Sequence, residues 1–258
     1  EEKVRKQNQE LSSIEIRGKW EKLFDTGKSE YLEKKQIADV KNLGVRYDFQ
    51  GSIYIPARDN EGNLWSWQKI QWDGSKWFYS GGRISGCYHV IGDISSSGII
   101  YITEGFATAA SIHLATGNGV VVAFTSNNLV EVSKAIKKNH PGKSIVICGD
   151  DDHWSKKANG EPCNAGREKA EEAAKASLGK STYPKFRNLD SKPTDFNDLH
   201  CLEGIEEVKK QLKGIKPPKP MALYALGFMD NSYFFTSTSN RQIVEVSSFT
   251  EDNMLKII

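Results

Sequence analysis

The residues best suited to chemistry in this sequence are acids that follow predicted strands. Glu104 comes directly after the apolar stretch 99–103 and is followed by Gly105 and a helical stretch. In open α/β sheets, ligands bind beyond the carboxyl ends of the strands, so this carboxylate is well placed for a functional role. The alternative is an acid at a helix N-terminus, where its charge favours the helix dipole. Taken alone, Glu104 fits both interpretations about equally.

A second acidic group, residues 149–152 with the sequence Gly-Asp-Asp-Asp, ends the apolar stretch 144–148. Side chains alternate along an extended chain, so Asp150 and Asp152 are expected to point the same way. Two carboxylates on one face repel each other unless a cation lies between them. Such hard oxygen ligands suit Mg²⁺ or Mn²⁺. The lack of a nearby pair of Cys or His residues argues against zinc. For an isolated Asp-x-Asp, a solvated acidic loop is the simpler alternative.

A third acidic group lies in the turn 192–199, which contains Asp195 and Asp198. Its alternative explanation is a helix cap, formed by Thr194 or Asp195 at the start of a short helix. The combination favours a functional role over the separate explanations. One array of alternating strands and helices contains a strand followed by Glu-Gly, a strand followed by Asp-x-Asp, and a late acidic turn. The pattern favours a shared acidic site.

Strands and helices that alternate along the chain must position these acids. Predicted strands at 99–103, 120–125, 144–148 and 182–186 alternate with predicted helices at 106–115, 129–139, 165–178 and 205–212, which indicates crossover connections and a parallel sheet. We predict five regions: a helical segment at 1–43, an antiparallel β-meander subdomain at 44–96, an α/β catalytic domain at 97–213, a Pro/Lys linker at 214–220, and the β-rich start of a following domain at 221–258.

Composition excludes several classes of protein. The 258 residues carry 35 basic and 33 acidic side chains, a net charge of +2, so any nucleic-acid contact must come from local patches. The longest apolar runs fall far below the ~18 residues of a membrane span. Four scattered cysteines favour neither a disulfide framework nor a structural zinc site. The chain shows no secretory leader, so we expect a cytoplasmic protein, and a fragment of a longer polypeptide is plausible.

The acidic motifs make a resemblance specific. IIYITEG at 99–105, VICGDDD at 146–152 and TDFNDLH at 194–200 resemble the Toprim domain, a metal-binding fold shared by bacterial-type primases, topoisomerases and several nucleases. Flanking stretches, among them YLEKKQI at 31–37 and NAGREKAEEAA at 164–174, resemble the primase-helicases of plasmids and phages. The linker and the stretch after it resemble the start of the helicase-associated region of such proteins.

The resemblance implies a DNA primase, a nucleotidyltransferase that makes primers on single-stranded DNA from nucleoside triphosphates by two-metal-ion catalysis. Glu104 matches the catalytic glutamate of the family, and Asp150 and Asp152 match its paired metal-binding aspartates, with Mg²⁺ or Mn²⁺ as the cofactor. Asp195 or Asp198 matches its late acidic motif. A helicase domain, in the same or an associated chain, is the implied protein partner. The alternatives are a strand-cleaving Toprim enzyme and a non-catalytic module that binds single-stranded DNA.

Several basic residues are candidates for nucleotide or DNA binding. Arg83 follows a Gly-Gly turn, where the backbone allows a close approach and the guanidinium can reach a phosphate. Arg167 and Lys169 begin a helix after the acidic loop, where anions are favoured, although ion pairs with neighbouring glutamates are the ordinary alternative. A stretch of aromatic and basic side chains could stack single-stranded bases, but we expect most of its tryptophans to pack in a core; it comprises Trp65, Trp67, Trp72, Trp77, Lys69 and Lys76.

Overall fold

The computed structural model describes residues 2–152, 154, 163–215, 223–229, 232–237 and 243–246. The helices are α1 (Glu2–Trp20), α2 (Glu30–Lys34), α3 (Phe106–Thr116), α4 (Leu129–Asn139), α5 (Ala165–Ala176), α6 (Phe196–Glu203) and α7 (Ile205–Lys213). The strands are β1 (Arg46–Tyr47), β2 (Ile53–Arg58), β3 (Leu64–Ile70), β4 (Lys76–Phe78), β5 (His89–Ile91), β6 (Ile99–Thr103), β7 (Val120–Val122), β8 (Ser144–Cys148), β9 (Lys180–Thr182), β10 (Leu223–Met229), β11 (Ser232–Ser237) and β12 (Ile243–Val246). Two compact units, Glu1–Pro217 and Pro218–Ile258, divide the chain.

The larger sheet of the first unit has five strands in the order β5-β7-β6-β8-β9. Strands β7, β6, β8 and β9 pair in parallel, and β5 pairs antiparallel with β7 at one edge. A parallel sheet is covered on both faces, so its strands are apolar throughout, as the fully buried Val120–Val122 illustrates. The predicted parallel sheet flanked by helices is confirmed.

Helices cover both faces of this sheet. On one face, side chains of α3, α6 and α7 pack in a core with Tyr101, Val122 and Val146. On the other face, α4 and α5 pack against Ile100, Val121 and Ile147. The alternation along β6, β7 and β8 therefore divides the sheet into two apolar faces, and the strand ends remain open for polar residues.

The antiparallel meander precedes the larger sheet, with the strand order β1-β2-β3-β4. One face, with Ile53, Ile55 and Ile70, contributes to the same core as α2 and α3. On the other face, Ile16 and Trp20 of α1 form a small separate core with residues of β3. The predicted helical and antiparallel-β region before the parallel sheet is confirmed, and β4 forms an edge of the meander.

Several elements differ from the sequence-based description, among them β5, β9 and β7, which ends at Val122 rather than at residue 125. β5 lies within the stretch assigned to the meander, yet it pairs with β7 of the larger sheet, because its buried Ile91 contributes to the core beneath that sheet. β9 spans Lys180–Thr182 rather than 182–186. Pro184 follows two residues later and has no backbone N–H to continue a ladder, which accounts for the early end.

The second unit contains the antiparallel sheet β10-β11-β12. The register shifts between Ala225 and Gly227, where β10 has a bulge. Most of the predicted linker, residues 216–220, lies outside the described residues. Among the described helices, none is both long enough and apolar enough to cross a membrane.

Candidate active site

The carboxyl ends of β6 and β8 meet at one edge of the five-stranded sheet. Thr103 of β6 lies opposite Cys148 of β8, so Glu104 and the loop that begins at Gly149 leave the sheet side by side. The carbonyl of Glu104 accepts a hydrogen bond of 2.9 Å from the backbone N–H of Phe124, which follows β7. The sheet therefore fixes the backbone of Glu104 between two neighbouring strands.

The Glu104 side chain lies in a partly buried, negatively charged environment. Burial raises the pKa of its carboxyl group, and the nearby charge of Asp152 raises it further. Lys76 of β4 and a hydrogen bond from the Ser126 backbone act in the opposite direction. The net pKa shift is upward, which makes Glu104 a stronger base than an exposed glutamate.

Asp150 is more strongly perturbed. Burial, followed by the charges of Asp195, Glu104 and Asp152, raises its pKa to about 8, against the opposing charge of Lys76. We refer to these four acids, Glu104, Asp150, Asp152 and Asp195, as the acidic centre. The charges that raise the pKa of Asp150 thus come from the second acid of the Asp-x-Asp motif, the glutamate after β6 and one acid of the late acidic turn.

One oxygen of the acidic centre has an unmet requirement. Asp150 Oδ1 is buried and accepts no hydrogen bond from any described residue. A buried acceptor without a partner typically costs about 1–3 kcal/mol, and a cation would offset both this cost and the repulsion between carboxylates. Carboxylate oxygens are the donors that Mg²⁺ and Mn²⁺ prefer. The donor chemistry therefore fits a hard divalent cation, although no three acidic, His or Cys side chains of the described residues already converge as a complete ligand set.

Asn164, the N-cap residue of α5, holds the acidic loop in place. Its Oδ1 accepts hydrogen bonds from the backbone N–H groups of Asp152 at 3.1 Å and Arg167 at 3.2 Å. Its Nδ2 donates to Asp151 Oδ1 at 2.6 Å. One side chain thus caps a helix and orients two residues of the loop. Asp151 is drawn toward α5, whereas its neighbours Asp150 and Asp152 belong to the acidic centre.

Asp195 and Asp198 cap the N-terminus of α6. Asp195 Oδ1 accepts hydrogen bonds from the backbone N–H groups of Asn197 at 2.7 Å and Asp198 at 2.9 Å. Asp198 Oδ2 accepts one from the Thr194 backbone at 3.0 Å. The helix-cap interpretation is therefore correct for the local geometry of this turn, and it explains the Asp-x-x-Asp spacing.

The two capping acids differ in their relation to the acidic centre. Burial raises the pKa of Asp195, and the charge of Asp198 raises it further. Asp195 in turn contributes the largest of the carboxylate charges that raise the pKa of Asp150. Asp198 instead has its Oδ1 at 3.9 Å from Lys35 Nζ. Of the two, Asp195 is the one that joins the acidic centre.

The three basic residues predicted to bind nucleic acid all have partners within the protein. Arg83 Nη2 lies 3.2 Å from Asp59 Oδ2, and its guanidinium group lies 4.0 Å above the Trp65 ring. Both partners belong to the meander region. Arg167 and Lys169 form the ordinary ion pairs within α5, with Glu171 at 3.2 Å and Glu172 at 2.7 Å. Arg167 also lies 3.9 Å from Asp151 Oδ1, so it is the one beside the acidic loop.

Sequence reasoning missed three residues that shape the site. Lys76 appeared only as part of an aromatic and basic stretch, and no local sequence signal separates it from the other basic residues there. Asn164 precedes a helix and has the residue type of an N-cap. At Gly166, an added Cβ would lie 3.0 Å from the Asp150 carbonyl oxygen and 3.3 Å from Asp152 Oδ2, so the glycine allows α5 to approach the loop.

The tryptophans of the meander are divided between core and surface. Trp67 is buried, as expected, and Trp65 is partly buried beneath Arg83. The expectation of core packing is wrong for Trp72 and Trp77, which are 56% and 45% exposed. Their positions in a short hairpin explain the difference, because β4 is an edge strand and the turn before it projects from the sheet.

Comparison with known proteins confirms the resemblance drawn from the motifs. Residues 99–206 match the family model described as a Toprim domain. Two proteins named DNA primase TraC, from Escherichia coli, are each 42% identical to this chain over 160 residues, or 60% of its length. The match covers 11% of one relative and 15% of the other, so this chain corresponds to a small part of either.

Solved structures show more distant likenesses. The primase fragment of the bacteriophage T7 primase-helicase protein has a TM-score of 0.46 and 18% identity, over 71% of this chain and 70% of that chain. The DnaG primase catalytic domain bound to ssDNA has a TM-score of 0.47 and 12% identity, over 83% of each chain. Similarities this distant support no functional conclusion by themselves.

Proposed function

We propose, from the match of residues 99–206 to the Toprim domain family model and from the 42% identity to DNA primases over 160 residues, that this chain is a primase catalytic core. Such an enzyme joins nucleotides into primers on single-stranded DNA. The observation that carries the proposal is Asp150 Oδ1, a buried oxygen without a hydrogen bond from the described residues, in a centre of four acids. Phosphoryl-transfer enzymes use such carboxylates to hold the cations that stabilise phosphate charge.

Glu104, Asp150, Asp152 and Asp195 would hold Mg²⁺ or Mn²⁺ in this proposal. When bound, the cation stabilises the charge that develops on the reacting phosphate. Asp198, which the sequence also suggested as a ligand, already caps α6 and lies near Lys35, so we assign it a supporting role. Asn164 and Gly166 then act as positioning residues, since they hold α5 against the acidic loop.

The proposed reaction extends a primer by one nucleotide. The 3′-hydroxyl oxygen bonds to the α-phosphorus of a nucleoside triphosphate, the bond from that phosphorus to the β-phosphate oxygen breaks, and pyrophosphate leaves. Glu104 accepts the hydroxyl proton, a role that its raised pKa favours. The positive charge of Lys76 lowers the pKa values of Glu104 and Asp150. In this proposal, the same charge attracts the triphosphate from the meander side.

The remaining partners follow from the same proposal. Single-stranded DNA serves as template, and we place it along the meander, with Arg83 and Arg167 as candidate phosphate contacts and Lys169 as a weaker one. A helicase domain, in this protein or an associated one, is the proposed protein partner, and it rests on the resemblance of the residues after the linker. The cytoplasmic location stays a prediction.

The direct test is primer synthesis by the 258-residue chain on single-stranded DNA, with labelled nucleotides and Mg²⁺ or Mn²⁺. We expect synthesis by the parent protein and at least a 100-fold loss in the double variant Asp150→Asn, Asp152→Asn. Glu168→Gln is the matched control, because it removes an exposed acid of α5 outside the acidic centre. Its rate should stay within about twofold of the parent rate.

Other outcomes identify the alternatives. Cation-dependent cleavage of the DNA without synthesis would replace the primase proposal with a strand-cleaving Toprim enzyme. Binding of DNA with neither reaction would indicate a non-catalytic module. Equal activity of the double variant and the parent would remove the acidic centre from any catalytic role.

A further inference from the structure

Trp72 stands at the turn between β3 and β4, where a large aromatic side chain is unusual. Ile70 pairs with Lys76 at the base of this turn, and residues 71–75 connect the two strands. Although tryptophan is normally well buried, the Trp72 side chain is 56% exposed. An exposed indole of this kind needs an explanation that core packing does not provide.

The indole is held in place rather than simply projecting into solvent. Lys34 of α2 donates a hydrogen bond of 3.1 Å from Nζ to the Trp72 carbonyl oxygen. The same ammonium group lies 4.8 Å from the centre of the indole ring, in a cation–π contact. Lys34 also lies 3.6 Å from Glu30 of its own helix. The hairpin turn and the end of α2 therefore form one small aromatic and basic surface.

This surface is connected to the acidic centre from two directions. The Lys35 carbonyl, adjacent to Lys34, accepts a hydrogen bond of 2.8 Å from Asn197 Nδ2 in α6, the helix that Asp195 caps. On the hairpin itself, the positive charge of Lys76 lowers the pKa values of Glu104 and Asp150, against the larger effects that raise them. Trp72 precedes Lys76 by four residues on this hairpin and contacts Lys34, the neighbour of Lys35, so both connections involve residues beside it.

We infer that Trp72 is a stacking platform for a base of the single-stranded DNA template, with Lys34 and Lys76 as its phosphate contacts. The inference rests on the proposed function and names a surface that delivers the template to the same site. A nucleobase matches the surface in chemistry: its ring stacks on the indole, and its phosphates match the two lysines in charge. Both lysines are exposed, so their ammonium groups are accessible to a phosphate.

Trp77 of the same hairpin provides a matched comparison. It is 45% exposed, and it lies opposite Lys69 in the strand register. Lys69 pairs with Asp48 at 3.0 Å and lies 5.7 Å from the Trp77 ring. Because adjacent strand residues point to opposite faces, Trp77 lies on the face of β4 away from Lys76. The two tryptophans thus share exposure and a lysine neighbour, but only Trp77 is on the strand face opposite to Lys76.

The experiment measures binding of fluorescein-labelled oligo(dT) to the full 258-residue chain by anisotropy, without nucleotides, for the parent protein and three variants. Trp72→Ala should raise the Kd about 5- to 100-fold, the usual loss for one stacked base. Trp72→Phe, which keeps an aromatic ring, should recover most of that affinity. Trp77→Ala should leave the Kd within about twofold. Thermal unfolding of each variant checks that the exposed substitutions leave the fold intact.

The outcomes separate this inference from the proposed function. Equal effects of Trp72→Ala and Trp77→Ala, no effect of Trp72→Ala, or no binding by the parent protein would each overturn the platform. If labelled ATP and not oligo(dT) loses affinity in Trp72→Ala, the ring stacks on the incoming nucleotide, and the template assignment is wrong. If the parent binds DNA through Trp72 but makes no primer, the platform stands and the primase proposal fails.

Discussion

The two acidic motifs of this protein look alike in sequence but differ in how their oxygens are satisfied. In the Asp195-x-x-Asp198 motif, both side chains accept backbone hydrogen bonds at the N-terminus of α6. In the Asp150-x-Asp152 motif, Asp150 Oδ1 is buried without such a bond from the described residues. The difference teaches that acidic spacing alone does not identify a cation site. An acid already satisfied by a helix cap has less need of a cation than one that is not.

The largest expected effect separates the two acids of the capping motif. Asn is as good an N-cap residue as Asp, so Asp195→Asn should keep α6 while removing a charge from the acidic centre. We expect at least a 30-fold loss of primer synthesis from Asp195→Asn and less than a threefold loss from Asp198→Asn. Steady-state rates at saturating Mg²⁺ measure both. Equal losses would mean that the two acids contribute alike and that Asp195 alone does not join the acidic centre.

A second effect is on stability and depends on pH. The folded pKa of Asp150 is about 8, above its ordinary value of 3.8, so the folded protein binds more protons than the unfolded chain between these values. Without a divalent cation, the free energy of unfolding should therefore fall as pH rises from 5 toward 8, and Asp150→Asn should reduce that fall. We expect the variant to gain about 1–3 kcal/mol relative to the parent over this range, since one pKa unit corresponds to ~1.4 kcal/mol and partial exposure weakens the effect.

Urea unfolding in EDTA at pH 5 and pH 8 provides this measurement. Addition of Mg²⁺ at pH 8 should stabilise the parent protein more than Asp150→Asn, because a cation replaces the missing proton. A difference between the two proteins that stays constant from pH 5 to pH 8 would contradict the perturbed pKa. Unfolding of the variant would show instead that Asp150 is a structural residue.

A smaller effect is expected at the cap of α5. Asn164→Ala removes the acceptor for two backbone N–H groups and the donor to Asp151, so it should cost about 1 kcal/mol of stability. It should also weaken Mg²⁺ binding severalfold, because the acidic loop loses its orientation. Asn164→Asp is the control that keeps the cap but replaces the donor to Asp151 with a negatively charged acceptor. Restored stability without restored Mg²⁺ affinity in that variant would separate capping from orientation of the loop.

Sequence reasoning found the acids of the site because strand periodicity and the end of each strand are local features. β6 and β8 could be recognised from their apolar runs, and parallel pairing then places Glu104 beside Asp150. The contribution of Lys76 could not be found in this way, because it depends on how the meander packs against the sheet. Nor could the sequence decide between Asp195 and Asp198, since only tertiary packing turns one toward Asp150 and the other toward Lys35.

The smallest expected effect concerns the second compact unit, Pro218–Ile258. Every acid of the acidic centre lies in the first unit. Truncation after Pro220 should therefore change the unfolding temperature of the first unit by less than about 3 °C and leave Mg²⁺ binding unchanged. The second unit has about 40 residues, near the limit below which chains rarely fold alone, and the edges of its sheet β10–β12 can pair with other chains. Truncation should therefore lower any self-association measured by light scattering. If it instead unfolds residues 97–213, the two units fold as one cooperative domain and the boundary at the linker is wrong.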